Sequence, residues 1–228
     1  GPDYFIPKPI DPRLITEVST AVAKAAIQSA VPRRTITDWD AYKQRLRQML
    51  GQETKLTRNL HATAALHPQR VVFAEGGHPT MMKAAVQAMQ EGICHPILLG
   101  NPDRLNRLAN RLKLNLDGVE IVDMRADNEQ GRRATYAKHL AEKCARRGYS
   151  FEEAYDKMYE RNYFGMSMVE QGDADAFITG LYTKYSNTIK VAKEVVGIRP
   201  GYKTFATMHI LNTKRGVYYL ADTLINRH

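Results

Sequence analysis

Apolar residues set the first rhythm of the chain. Leu14, Ile15, Val18, Val22, Ala25 and Ala26 recur three or four positions apart, a spacing that predicts one apolar face on a helix running to about Ser29. Asp11-Pro12 supplies its start and Pro32-Arg33-Arg34 its end. Ahead of it, Pro7, Pro9 and Pro12 interrupt Tyr4, Phe5, Ile6 and Ile10. Proline fixes φ and lacks an N–H, so this stretch is extended rather than helical. A second helix opens on Asp38 as N-cap, carries Trp39, Tyr42, Leu46 and Leu50, and ends or bends at Gly51. A third runs from Thr54 to Leu66 with Leu56, Leu60 and Ala64 on one side and Pro68 as its stop. These two predict a helical connector rather than a domain of their own.

The rhythm changes after Arg70. Short, nearly continuous apolar runs take over at Val71-Val72-Phe73, Pro96 to Gly100, Val119 to Val122 and Ala176 to Gly180. Helical spacing fills the intervals: Met82, Ala85, Val86 and Met89 between Pro79 and Gly92, then Asn101 to Leu112, then two or three helices between Asn128 and Gly172, then Asn187 to Val196. Strand and helix in alternation, with short connections, predict a parallel sheet covered by helices. Tyr202 to Leu211 and Val217 to Ala221 predict two last strands, a hairpin within that sheet, turning at Thr213 to Gly216. The fold class is therefore α/β: a helix-flanked, largely parallel, mixed sheet preceded by a helical connector.

Composition narrows the classes. The chain has 228 residues, 43% of them hydrophobic, enough for one or two domains with a core. There is no apolar run long enough to span a bilayer, and no charged-then-apolar leader, so neither a membrane helix nor a signal peptide is expected. Cys94 and Cys144 give neither a disulfide framework nor metal-ligand spacing, which fits a reduced, cytoplasmic setting. Cys94 lies beside His95 on a strand, where neighbours face opposite ways, and reads as a small core residue. The net charge is +9, which suits either an anionic partner (nucleic acid, a membrane surface or a phosphorylated ligand) or simply solvated helix faces. Lys and Arg are distributed over several segments, and no aromatic RNA-binding strand motif accompanies them. The expected partner is a phosphate-bearing small molecule, not nucleic acid.

Ligands of α/β sheets sit outside the carboxyl ends of the strands. That rule selects Glu75-Gly76-Gly77, Gly100, Thr179-Gly180 and Asp222-Thr223. The richest stretch leads from Thr179 and Gly180 through Lys184, Tyr185, Ser186 and Thr188 to Lys190: hydroxyls, two cations and a helix start whose amides favour an anion. The same residues also suit ordinary N-capping by Ser186 or Asn187. Glu75-Gly76-Gly77-His78 reads first as a plain βα turn, with a carboxylate and an imidazole at a strand end as the other option. One glycine pair makes no dinucleotide fingerprint. His61 and His67, six apart, share no helix face.

Two resemblances follow from particular residues. Asp3-Tyr4-Phe5-Ile6-Pro7-Lys8-Pro9-Ile10-Asp11-Pro12-Arg13-Leu14-Ile15 and the helix from Val18 to Ser29 resemble the closing segment of bacterial hybrid malic enzymes. Arg70-Val71-Val72-Phe73-Ala74-Glu75-Gly76, Pro96 to Gly100, Gly172 to Ala176 and Leu220-Ala221-Asp222-Thr223 resemble the phosphotransacetylase family. The resemblance implies residues 1–32 as the end of a malic enzyme nucleotide-binding domain, 33–68 as a linker and 69–228 as the first part of a phosphotransacetylase-like domain. It further implies a malic enzyme that turns malate into pyruvate with NADP and Mg2+ or Mn2+, and a module here that binds acetyl-CoA as effector and helps build a homo-oligomer. The partners implied are acetyl-CoA and the protein's own upstream malic enzyme domain. Where active phosphotransacetylases carry a His-Ser-Thr-Ala-Asp run and a later arginine, this chain has Thr183 to Thr188 and then Lys190. Lysine holds phosphate as a point charge but lacks the guanidinium fork. The expectation is a regulatory, non-catalytic module; the alternatives are an active phosphate acetyltransferase and a purely structural oligomerisation module. The last strands should expose an unpaired edge and apolar surface.

Overall fold

A computed structural model describes residues 13–29, 35–49, 55–213 and 216–222. The stretch from Asp3 to Pro12, the stop at Pro32-Arg33-Arg34, Gly51 and Thr223 lie outside the described residues. Helices α1 (Arg13–Gln28), α2 (Trp39–Met49) and α3 (Lys55–Leu66) fall where apolar spacing predicted them. Asp38 caps α2, its Oδ1 accepting from the Ala41 N–H at 2.9 Å. Trp39 meets Tyr42 edge-on, and Lys24 of α1 lies 5.4 Å over the indole, which joins α1 to α2.

The described residues form two compact units. One contains α1, α2 and most of α3 together with the last two strands; the other comprises residues 63–207. In the second unit β1 (Gln69–Phe73), β2 (Cys94–Leu99), β3 (Glu120–Val122) and β4 (Ala176–Ile178) form one sheet in the order β3-β2-β1-β4, every pair parallel. Successive residues of a strand face opposite sides, and the core divides accordingly. Phe73 and Leu98 pack with Met81, Met82 and Ala85 of α4 (Pro79–Gln90) and with Leu105 and Leu108 of α5 (Pro102–Leu112). Val72, Ile97 and Leu99 join the other cluster. That cluster takes Tyr136 and Leu140 from α6 (Gln130–Cys144), Ala154 from α7 (Phe151–Lys157), Phe164 and Met168 from α8 (Arg161–Glu170), and Val191 and Val195 from α9 (Tyr185–Val195). Cys94 is buried in the first cluster while His95 is exposed, as strand alternation requires. At the entry of the sheet, Arg70 forks onto Asp175 at 2.9–3.1 Å, tying β1 to β4. The pair is half exposed, so it sets register more than it adds stability.

The final hairpin departs from expectation. β5 (Met208–Thr213) and β6 (Gly216–Ala221) pair antiparallel in a two-stranded sheet of their own, not within the main sheet. Tyr202 to Thr207, read as the start of the first strand, has no strand geometry. The four main strands owe their burial to helices on both faces. Every residue of β5 is exposed, and in β6 only Val217 is half-buried. The exposed apolar surface foreseen for the end of the chain is present as Ile210, Leu211, Tyr218, Tyr219 and Leu220.

Candidate functional site

The chain runs outward through β1, β2 and β3, then returns to lay β4 against the other side of β1. Loops leave β1 and β4 in opposite directions, and such reversals open a crevice at the carboxyl edge. Glu75 lies in the turn just past β1 and is 1% exposed. Its Oε1 accepts from the Thr179 hydroxyl at 2.9 Å and from the Gly180 N–H at 3.2 Å, both just past β4. Gly180 has φ +135°, a conformation open to glycine alone, which turns its amide back toward the carboxylate. Thr179 Oγ1 also lies 3.1 Å from the Asn162 side-chain amide. The hydroxyl has one proton and gives it to Glu75.

Beyond Glu75 the crevice widens into an open cleft of about 1560 Å³. Its lining includes Arg104, Arg107, Arg111, Arg125, Lys157, Arg161 and Lys190, against the carboxylates of Glu75, Asp123 and Glu160. The three arginines of α5 are spaced i, i+3, i+7 and so share one helix face; none forms an ion pair among the described residues. Asn101 fixes where that helix begins: its Oδ1 accepts from the Arg104 N–H at 3.2 Å, and its Nδ2 donates to Asp123 at 3.1 Å. Asp123 in turn accepts from the Arg125 N–H at 3.1 Å. Arg133, buried beneath, donates to the carbonyls of Met124 (2.7 Å) and Ala126 (2.8 Å) and lies 4.9 Å over the Tyr159 ring. That locks the loop carrying Arg125. Arg161 lies 5.7 Å over Tyr182, whose ring meets His78 edge-on. Unpaired cations held together on fixed supports repel one another until an anion arrives; such a cleft concentrates anionic ligands.

The sequence candidates are placed as follows. Lys190 lines the cleft. Thr179 and Gly180 reach it through Glu75. Lys184, Tyr185, Ser186 and Thr188 are not among the lining residues, whereas Tyr182, Thr183 and Asn187 are. Neither Ser186 nor Asn187 caps α9: the helix begins at Tyr185 with Lys184 at the N-cap, which offers no side-chain acceptor. Gly100 lines the cleft, and Asp222 follows β6 in the other unit. The βα turn at Glu75 is both things at once, since His78 caps α4 by accepting from the Thr80 N–H at 3.2 Å. Arg104, Arg107, Arg111, Arg125, Lys157 and Arg161 were not singled out from sequence. The i, i+3, i+7 arginine spacing on a predicted helix was the signal available. A smaller hollow of about 420 Å³ beside the end of α9 includes Lys143, but Lys143 is engaged by Glu170 and the carbonyls of Val195 and Val196.

Comparisons with known proteins point one way. The family described as phosphate acetyl/butaryl transferase matches residues 55–228. An NADP-dependent malic enzyme of Salmonella typhimurium is 35% identical over 99% of this chain, and one of Escherichia coli 34% over 99%. The chain spans 30% of the length of each. A phosphate acetyltransferase of Nitratidesulfovibrio vulgaris is 29% identical over 74% of this chain and 23% of its own length. Among solved structures, a phosphotransacetylase from Streptococcus pyogenes superposes with a TM-score of 0.63 at 23% identity, over 74% of this chain and 52% of that one. The EutD phosphotransacetylase from Staphylococcus aureus gives 0.62 at 22%, over 75% and 52%. These structures bear out the α/β fold.

Proposed function

The chain belongs to the phosphate acetyl/butaryl transferase family, and from that premise we propose that it is the acetyl-CoA-binding, regulatory part of an NADP-dependent malic enzyme, not itself a catalyst. One observation carries the reading: cations from α5, the β3 end, the α7–α8 connection and α9 converge on one cleft where the strand order reverses. Acetyl-CoA suits it, being a thioester on a long arm with several phosphates. Arg104, Arg107, Arg111 and Arg125 hold the phosphates, with Lys190 as a further point charge. Thr179 and Gly180 serve by fixing Glu75, while Lys184, Tyr185, Ser186 and Thr188 frame the start of α9. Lys190 in place of an arginine supports binding without acyl transfer.

In this reading residues 1–32 close the malic enzyme nucleotide-binding domain, 33–68 are the linker, and 69–228 begin the effector domain of a cytoplasmic homo-oligomer. NADP and the divalent ion belong to the malate reaction. Among the described residues no group of three or more His, Cys, Asp or Glu is placed to hold a metal, so no step through either is assigned to this chain.

Calorimetric titration of the chain with acetyl-CoA tests the cleft. A charge-assisted hydrogen bond contributes about 1.5–3 kcal/mol, so the double change Arg107→Ala, Arg111→Ala, which removes two, should raise Kd roughly 100-fold or more. Arg146→Ala, an exposed position off the lining, should leave it unchanged. In the intact enzyme, acetyl-CoA should alter the rate of malate oxidation, and the double variant should lose that response. A tenfold effect requires about 1.4 kcal/mol of differential binding between states. Acetyl phosphate formed from acetyl-CoA and phosphate by the chain would replace this reading with acetyltransferase activity. Equal binding by the wild-type and double-variant chains would remove the cleft from it.

A further inference from the structure

Glu75 does not fit a cleft built solely for phosphate. Its side chain is 1% exposed and lines the cleft, so phosphate oxygens brought against it would meet a second acceptor. Only Oε1 is satisfied, by Thr179 and Gly180. Oε2 is shielded from solvent and has no hydrogen-bond partner among the described residues. A buried carboxylate oxygen in that state is costly and calls for a donor. The α5 arginines, also in the lining, offer the opposite chemistry. The cleft lining therefore offers two kinds of chemistry: a donor-seeking carboxylate past β1 and anion-seeking cations on α5.

The geometry points to Glu75 as the residue that sets the direction of the bound ligand, its Oε2 accepting from an amide N–H or hydroxyl of the ligand's uncharged arm while the phosphates lie on α5. This rests on the cleft's being the acetyl-CoA site and adds which way the molecule lies in it. Oε2 is shielded in the free chain, so a donor reaches it only when that cover shifts. Thr179 and Gly180 hold Oε1 in place, leaving Oε2 as the atom still to be matched.

Glu75→Gln keeps the size and one acceptor but can put an N–H2 where Oε2 stood. Three probes separate the possibilities: acetyl-CoA, S-acetylpantetheine (amide N–H groups, no phosphate) and adenosine 3′,5′-bisphosphate (phosphates, no arm). By calorimetry on the 228-residue chain, Glu75→Gln should weaken acetyl-CoA and S-acetylpantetheine by about tenfold. The bisphosphate should bind as in the wild type, which also shows that the variant is folded. Equal binding of all three probes by both proteins overturns the role of Glu75 while the cleft stands. Failure of both acetyl-CoA and the bisphosphate to bind the wild type overturns the cleft itself. Should the variant not fold, the wild type still decides: S-acetylpantetheine and the bisphosphate must bind together, and mutual displacement refutes the two-ended arrangement.

Discussion

At Gly165 a Cβ would lie 2.4 Å from Phe177 Cε2, 2.8 Å from Cδ2 and 3.2 Å from Leu99 Cδ1. Helix α8 thus rests against the sheet with no space for a methyl group. Alanine is the better helix former by about 1 kcal/mol, but overpacking costs about 1–3 kcal/mol. The Phe177 ring is packed against the core cluster and has little freedom to swing clear, so the steric term should win. Gly165→Ala is expected to lower the denaturation midpoint by the equivalent of about 1 kcal/mol or more with an unchanged m-value; an unchanged midpoint would show that the ring yields. Contacts of this kind explain what was legible residue by residue. Cys94 as core and Lys190 in the cleft followed from strand parity and from position after a strand end. Glu75 was offered with a plain turn preferred, because no local pattern announces that its partners come from Thr179 and Gly180, about a hundred residues later. The cleft arginines were passed over because the basic residues are scattered along the sequence. They meet only once β2, β3 and the helices after them bring their carboxyl ends together.

Helix α7 has seven residues, too few to hold itself together. Its start carries a complete capping box: Ser150 Oγ accepts from the Glu153 N–H at 3.1 Å, and Glu153 Oε2 accepts from the Ser150 N–H at 3.0 Å. Ala154 anchors the helix in the core, and Lys157 at its end reaches the cleft. Ser150→Ala should cost about 1 kcal/mol, within a range of about 0.5–2 kcal/mol, and Ser150→Asp should restore most of it. Denaturant midpoints of the three proteins check this, and an alanine variant as stable as the wild type would show that tertiary packing alone holds α7. Caps were the most readable feature of the elements. Asp38 was recognised from its side chain, and Asn101-Pro102 opens α5 as expected. Spacing predicts α9 from Asn187, two residues inside its actual start, because Lys184 at the N-cap has no side-chain acceptor to mark the boundary. The hairpin was assigned to the wrong sheet because its apolar runs match those of buried strands, and composition does not say which strands pair.

Across the 63–207 unit, three tyrosines join helices to carboxylates. The Tyr136 hydroxyl donates to Asp173, and Glu194 Oε2 accepts from Tyr163 at 2.5 Å and from Tyr149 at 3.0 Å. Burial first, then hydrogen bonding to the carboxylate, pushes all three phenols above their ordinary value of 10. Tyr155 is shifted the other way, chiefly by its hydrogen bond from Arg133, one half-buried ring against three. A group whose pKa is higher in the folded state holds its proton longer there than in the unfolded chain. Its stabilisation is complete below pH 10 and is lost as pH climbs from 10 through the folded value. The unit should therefore keep its stability at neutral and mildly alkaline pH and weaken progressively above about pH 10. The chain's single tryptophan, Trp39, lies in the other unit and reports that unit's unfolding by fluorescence. Circular dichroism in guanidinium at pH 8, 10 and 11, read against the Trp39 signal, then follows the 63–207 unit. The expected result is a transition moving to lower denaturant above pH 10, with Phe substitutions at positions 136 and 163 flattening the dependence because nothing is left to ionise there. A transition that strengthened with alkalinity would mean that Asp173 and Glu194 do not hold these phenols protonated.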